Sequence, residues 1–77
     1  MDRKEILGEV QNVLRKFKDD EKLTITEQTK FEELELDSLD TVDLVMEIED
    51  ALGVQIEMSK EIQTVAHIIN IVEKQKS

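Results

Sequence analysis

Apolar residues recur at helical spacing in three separate segments of this 77-residue chain, and no stretch alternates for longer than a few residues. Ile6, Leu7, Val10, Val13, Leu14 and Phe17 form the first stripe. Leu44, Val45, Ile48 and Leu52 form the second, and Val65, Ile68, Ile69 and Val72 the third, with Ala66 allowing close approach. Each stripe covers one face only, so none of the three helices is stable alone, and together they can enclose one narrow core of Leu, Ile and Val. A chain of this length has room for one such core. It contains no Pro, no internal repeat and no linker-like tract. The expected fold is all-α: a small four-helix bundle of three longer helices plus one short helix, forming a single domain over residues 1–77, with a long loop between helices 1 and 2.

Capping signals set the boundaries. Asp2 precedes the first stripe with Glu5 three residues on, and Arg15, Lys16 and Lys18 close it, so helix 1 is expected from Asp2 to about Lys18. Residues 19–36 are a long connection. In it Leu23 and Ile25 alternate with Thr24 and Thr26, as an extended segment pinning two apolar side chains to the core, and Thr29 is a candidate cap for a short turn holding Phe31 and Leu34. Such a long loop is expected to cross the bundle so that helix 2 starts at the far, exposed end. Beyond Gly53, Val54 and Ile56 alternate briefly, Ser59 is a candidate cap for a short turn through Lys60, Glu61 and Ile62, and Thr64 for the last helix, to about Lys74.

The second helix reads D-S-L-D-T-V-D-L-V-M-E-I-E-D-A-L before Gly53, a natural residue for a helix end. Asp37 is a good N-cap, and Asp40 stands where an acidic side chain can reach back to it. Ser38 is then the first helical residue, its hydroxyl at the positive end of the dipole beside unpaired N–H groups, where an attached phosphate is well placed. Leu39, Val42 and Met46 widen the apolar surface beyond what one buried face needs.

Charge is concentrated around the same helix. The chain carries 19 acids and 10 bases, net −9. Residues 31–57 hold ten of the acids and not one base, while the segments on either side are close to neutral. A field of one sign steers basic partners and repels nucleic acid. It also repels itself, so salt or divalent cations are expected to stabilise the fold, and a monomer is expected because the charge opposes self-association through helix 2. The absence of Cys excludes disulfides, thiolate metal sites and protein-borne thiol chemistry. The Met1–Glu5 start leads into an amphipathic helix and not an apolar leader segment, and no apolar run approaches the roughly 20 residues of a membrane span, so a reducing cytoplasm is the expected location. No metal site is expected, since the acidic residues do not follow the calcium-loop spacing.

Ser38 has three readings: a plain helix-start serine, a catalytic nucleophile, or a modification site. A nucleophile needs a base, and His67, the only histidine, sits on the last helix with no motif around it and reads better as a boundary residue. A modification site needs exposure, a positive dipole and a docking surface, and Ser38 has all three.

The ten-residue run D-S-L-D-T-V-D-L-V-M, in a small acidic chain, resembles the phosphopantetheine-attachment segment of acyl carrier proteins, closest in motif to bacterial fatty-acid-type carriers. The resemblance covers the helix layout and is sharp from Phe31 to Leu52. It implies that Ser38 receives a 4′-phosphopantetheine arm from coenzyme A by a phosphopantetheinyl transferase, with Asp37 helping to present it. Acyl groups then ride on the arm's sulfur as thioesters, most naturally in fatty-acid or related lipid biosynthesis, and the chain is no enzyme. Asp40, Asp43, Glu47, Glu49 and Asp50 match the family's docking charges for basic-surfaced acyl-processing enzymes, with Leu39, Val42 and Met46 as apolar contacts. By the same resemblance Val45, Ile48, Ile62, Val65, Ala66 and Ile69 are candidates to line an acyl pocket.

Two stretches depart from the family pattern. Glu35-Leu36 stands where fatty-acid carriers commonly have Gly-Ala, and the stretch from Glu57 to Val65 is about two residues short. These changes leave open a specialised carrier, for a polyketide starter or an aminoacyl group. An unmodified acidic interaction module is the remaining alternative, and it would tolerate Ser38→Ala.

Overall fold

A computed structural model describes residues 2–57 and 62–76. Three α-helices carry the fold: α1 (Arg3–Phe17), α2 (Ser38–Leu52) and α3 (Val65–Lys76), with a 3₁₀ turn at Phe31–Leu34. The first two begin as their caps dictate. Asp2 Oδ1 accepts from the Glu5 N–H at 2.8 Å, and Asp37 Oδ1 from the Asp40 N–H at 2.8 Å. Only this half of each capping box forms among the described residues. α2 ends at Gly53, whose φ of 65° lets its N–H and that of Val54 turn back to the Glu49 carbonyl.

α1 is the central element, packing against both α2 and α3. All three expected stripes face the shared core. Ile6, Val10 and Leu14 pack with Leu44, Val45, Ile48, Leu52, Val65, Ile68, Ile69 and Val72, and Leu7, Val13 and Phe17 sit half-buried around them. Thr41, a polar residue, is buried too, because its hydroxyl donates to the Asp37 carbonyl at 2.8 Å.

The long loop after α1 is held by side chains of α1. Gln11 Oε1 accepts from the Ile25 N–H at 3.1 Å, Arg15 Nε donates to the Leu23 carbonyl at 2.7 Å, and Lys18 Nζ to the Leu34 carbonyl at 2.8 Å. Ile25 and Phe31 drop into the core, as expected, and Leu23 packs at its edge. Farther on, the loop pairs with the entry to α3. Lys30 and Thr64 form an isolated antiparallel bridge, the Phe31 N–H donates to the Gln63 carbonyl, and the Val65 N–H to the Thr29 carbonyl, each at 3.0 Å. Arg3 fastens the other end, donating to Glu27, to Asn70 Oδ1 at 2.7 Å and to Glu73 Oε1 at 3.5 Å. The Glu27 hydrogen bond above all holds the guanidinium above its ordinary pKa; desolvation pulls the other way, and the charges of Glu27 and Glu73 add to the rise.

One expectation is corrected, the helix ends shift slightly, and one expected turn lies largely outside the described residues. Thr29 does not cap the short turn: Lys30 takes that position with no side-chain bond, because the Thr29 hydroxyl accepts from the Thr26 N–H at 2.9 Å. α1 stops at Phe17, with Lys18 as its cap, and α3 runs to Lys76, past the expected Lys74. The expected fourth helix, the short turn from Ser59 to Ile62, lies largely outside the described residues, and the only further helical turn among them is Phe31–Leu34.

Candidate functional site

Ser38 is exposed and is the first residue of α2. Asp37 fixes the helix start through its bond to the Asp40 N–H, and the Thr41 N–H closes onto the Asp37 carbonyl at 2.9 Å. The Ser38 hydroxyl hydrogen-bonds to nothing among the described residues. It therefore stands free at the positive end of the helix dipole, next to first-turn N–H groups that no intrahelical carbonyl can reach. The helix dipole there favours an attached phosphate.

Nothing described around Ser38 can activate it. His67 is half-buried, and its Nδ1 is occupied: it accepts from the Gln63 N–H at 3.1 Å and the Thr64 N–H at 3.3 Å. His67 thus caps the start of α3 from inside, a role its isolation in sequence did not announce. Among the described residues no three of His, Asp and Glu converge on a metal-sized space.

Down α2 from Ser38 runs a surface of mixed character. Leu39 is 77% exposed, Met46 56% and Val42 38%, although all three are apolar. Met46 thus lies on the surface with Leu39 and Val42. Asp43, Glu47 and Asp50 are exposed beside them, and Asp40 is half-exposed. Glu49 differs from the rest: its Oε2 accepts from the Ile56 N–H at 2.9 Å, so this carboxylate holds the segment after α2.

The six candidate pocket residues divide by position. Val45, Ile48, Val65 and Ile69 are fully enclosed in the core, Ile62 is buried at its edge and Ala66 is half-buried. A cavity of about 540 Å³ opens instead beside Ser38. Lys30, Phe31, Leu36, Val42, Ile62 and Gln63 contribute to its walls, together with Asp37 and Thr41. Sequence spacing could not find it, because it forms where the 3₁₀ turn, the head of α2 and the entry to α3 meet.

Comparison with known proteins decides the family. The family model described as "Phosphopantetheine attachment site" matches residues 4–72. The chain belongs to the phosphopantetheine-attachment family. It is a carrier protein and not a catalyst, and its cofactor is 4′-phosphopantetheine. The acyl carrier protein of Lactococcus lactis subsp. cremoris (strain MG1363) is 34% identical over 71 residues, covering 92% of this chain and 97% of its own. That of Rubrobacter xylanophilus is 39% identical over 75 residues, covering 94% and 93%. The chloroplastic acyl carrier protein 5 of Arabidopsis thaliana is 38% identical over 77 residues, covering 94% of this carrier and 54% of itself. Acyl carriers of this kind depend on a phosphopantetheinyl transferase and serve acyl-processing enzymes. No described helix of this one is long and apolar enough to cross a membrane.

Proposed function

We propose that Ser38 is the attachment residue, and that this carrier holds acyl intermediates as thioesters for fatty-acid or related lipid biosynthesis. The observation that carries the reading is the free Ser38 hydroxyl at the capped, positive end of α2. In the modification the Ser38 oxygen forms a new bond to the phosphorus of coenzyme A's pantetheine phosphate. The bond from that phosphorus to the rest of coenzyme A breaks, releasing 3′,5′-ADP. The hydroxyl proton passes to a base on the transferase, since His67 is committed to backbone N–H groups. Asp37 serves by holding the helix start, and with it Ser38, in a fixed position.

The docking face follows from the same helix. Leu39, Val42 and Met46 supply apolar contact, and Asp40, Asp43, Glu47 and Asp50 meet Arg and Lys on partners. Glu49 contributes its charge while its carboxylate stays bonded to Ile56. Each such rim pair contributes roughly 0–1 kcal/mol, which suits brief encounters with many enzymes. Loading of the arm takes place on one carrier domain spanning the chain, acting as a monomer in the cytoplasm. Val45, Ile48, Ile62, Val65, Ala66 and Ile69 would line the space a long acyl chain needs, and because the core is packed tight there, α2 and α3 must part to admit one. That requirement, with Glu35-Leu36 before the motif, also favours a second reading with a short polar cargo, a polyketide starter or an aminoacyl group.

The test is the rate of phosphopantetheinylation by a transferase with a basic docking surface. Asp43→Lys and Glu47→Lys are expected to lower kcat/KM several-fold each, with the loss shrinking as salt rises. Glu9→Lys, an exposed reversal on α1, is the control and is expected to change it little. Equal losses in all three would contradict docking through α2.

A further inference from the structure

The arm that Ser38 would carry brings a phosphodiester, and with it a negative charge, into the most acidic part of the molecule. Residues 31–57 hold ten acids and no base. Asp37 and Glu32 stand on the walls of the same cavity as Ser38, and Asp40 lies one turn away. The dipole of α2 offsets part of the repulsion. One cation reaches this space among the described residues: Lys30, the residue immediately before the acidic segment. Its backbone does not wander. The bridge to Thr64 and the Phe31 N–H bond to the Gln63 carbonyl, 3.0 Å, tie Lys30 to the neighbouring segment, where Ile62 and Gln63 also line the cavity. Lys30 has no ion pair with Glu32 or with any other described residue, so its ammonium is available. Phe31, Leu36, Val42 and Ile62 give the cavity an apolar lining that the arm's methyl groups can cover.

We propose that the cavity beside Ser38 is the resting place of the phosphopantetheine arm, with Lys30 as the cation that holds it there. The arm then lies along the outer face between the 3₁₀ turn and the entry to α3, over Phe31 and Ile62, instead of trailing in solvent or entering the helix core. Lys30 is a positioning residue in this arrangement. It sets where the arm waits between partners, and it contributes nothing to the chemistry of attachment.

This inference rests on attachment at Ser38, and the experiment separates the two. Wild type, Lys30→Ala, Lys30→Glu and the control Lys4→Ala are treated with coenzyme A and a transferase, and intact mass is read first. Failure of the wild type to gain the arm would overturn the attachment reading, and this inference with it. On the modified proteins, nuclear Overhauser contacts from the arm's geminal methyl groups are then measured. Contacts to the Phe31 ring and Ile62 methyls are expected in wild type and Lys4→Ala, weakened several-fold in Lys30→Ala and lost in Lys30→Glu. Contacts weakened likewise by raising salt in wild type would support the charge contribution. An arm without contacts in wild type, an arm contacting Val45, Val65 or Ile69 instead, or contacts unchanged in both Lys30 variants would each overturn it.

Discussion

Glu35 holds a left-handed backbone, φ 59°, between the 3₁₀ turn and α2. Its N–H donates to the Glu32 carbonyl and that of Leu36 to the Phe31 carbonyl, closing the turn so that Leu36 can bury and Asp37 can cap. A side chain with a Cβ is strained in that region by about 1–3 kcal/mol, whereas Gly is at ease there. Glu35→Gly is therefore expected to raise stability by about 1 kcal/mol despite the extra chain entropy of Gly, as urea denaturation would measure. It also removes one acid from the crowded segment. This explains the departure at Glu35-Leu36: the position keeps the backbone shape a glycine provides and accepts strain to do so. Other single-residue roles were legible only in part. Asp2, Asp37 and Gly53 declare themselves by type and place. Thr41 and His67 do not, because their burial depends on hydrogen bonds to backbone atoms, Asp37 for one and Gln63 and Thr64 for the other, that no side-chain pattern encodes.

The helices were readable because their stripes are regular and their caps conventional, and all three lie within two residues of where spacing puts them. In α1, Gly8 is the weak point. A Cβ built there meets nothing within 4 Å, so Gly8→Ala adds helix propensity without a clash. The expected gain is about 0.5–1 kcal/mol, read as a higher denaturation midpoint with an unchanged slope. The connections were much less legible. Leu23 and Ile25 were recognisable as anchors, but the bonds from Gln11, Arg15 and Lys18 that fasten this loop to α1 join polar residues far apart in sequence. The strap between 29–31 and 63–65 is backbone to backbone and leaves no compositional trace. The cavity beside Ser38 depends on that strap, so it was invisible in the sequence for the same reason.

Across the whole molecule the charge is both a steering device and a burden. The negative charge is concentrated in residues 31–57, which include the proposed docking face, and the bases that could balance it lie elsewhere. Raising ionic strength from about 0.01 M to 0.15 M shortens the Debye length from roughly 30 Å to 8 Å, and the melting temperature is expected to rise across that range. A flat or falling melting temperature would mean that the self-repulsion is already neutralised. The Arg3 cluster does not add a pH dependence near neutrality. A base whose folded pKa is raised contributes fully below its unfolded pKa and loses that contribution only as pH rises through the folded one, which for arginine is far into alkali. What the fold contributes to function is the exposed head of α2, held outward by a long loop and a tight core, with the acidic face below it. Whether that head is used as proposed can be read directly from the intact mass of the protein, wild type and Ser38→Ala, after incubation with coenzyme A, magnesium and a broad-specificity transferase. Wild type should gain one phosphopantetheine, located on Ser38 by peptide mapping, and Ser38→Ala should gain nothing. A folded, previously unmodified wild type that gains no mass, or an arm that maps to another residue, would contradict attachment at Ser38.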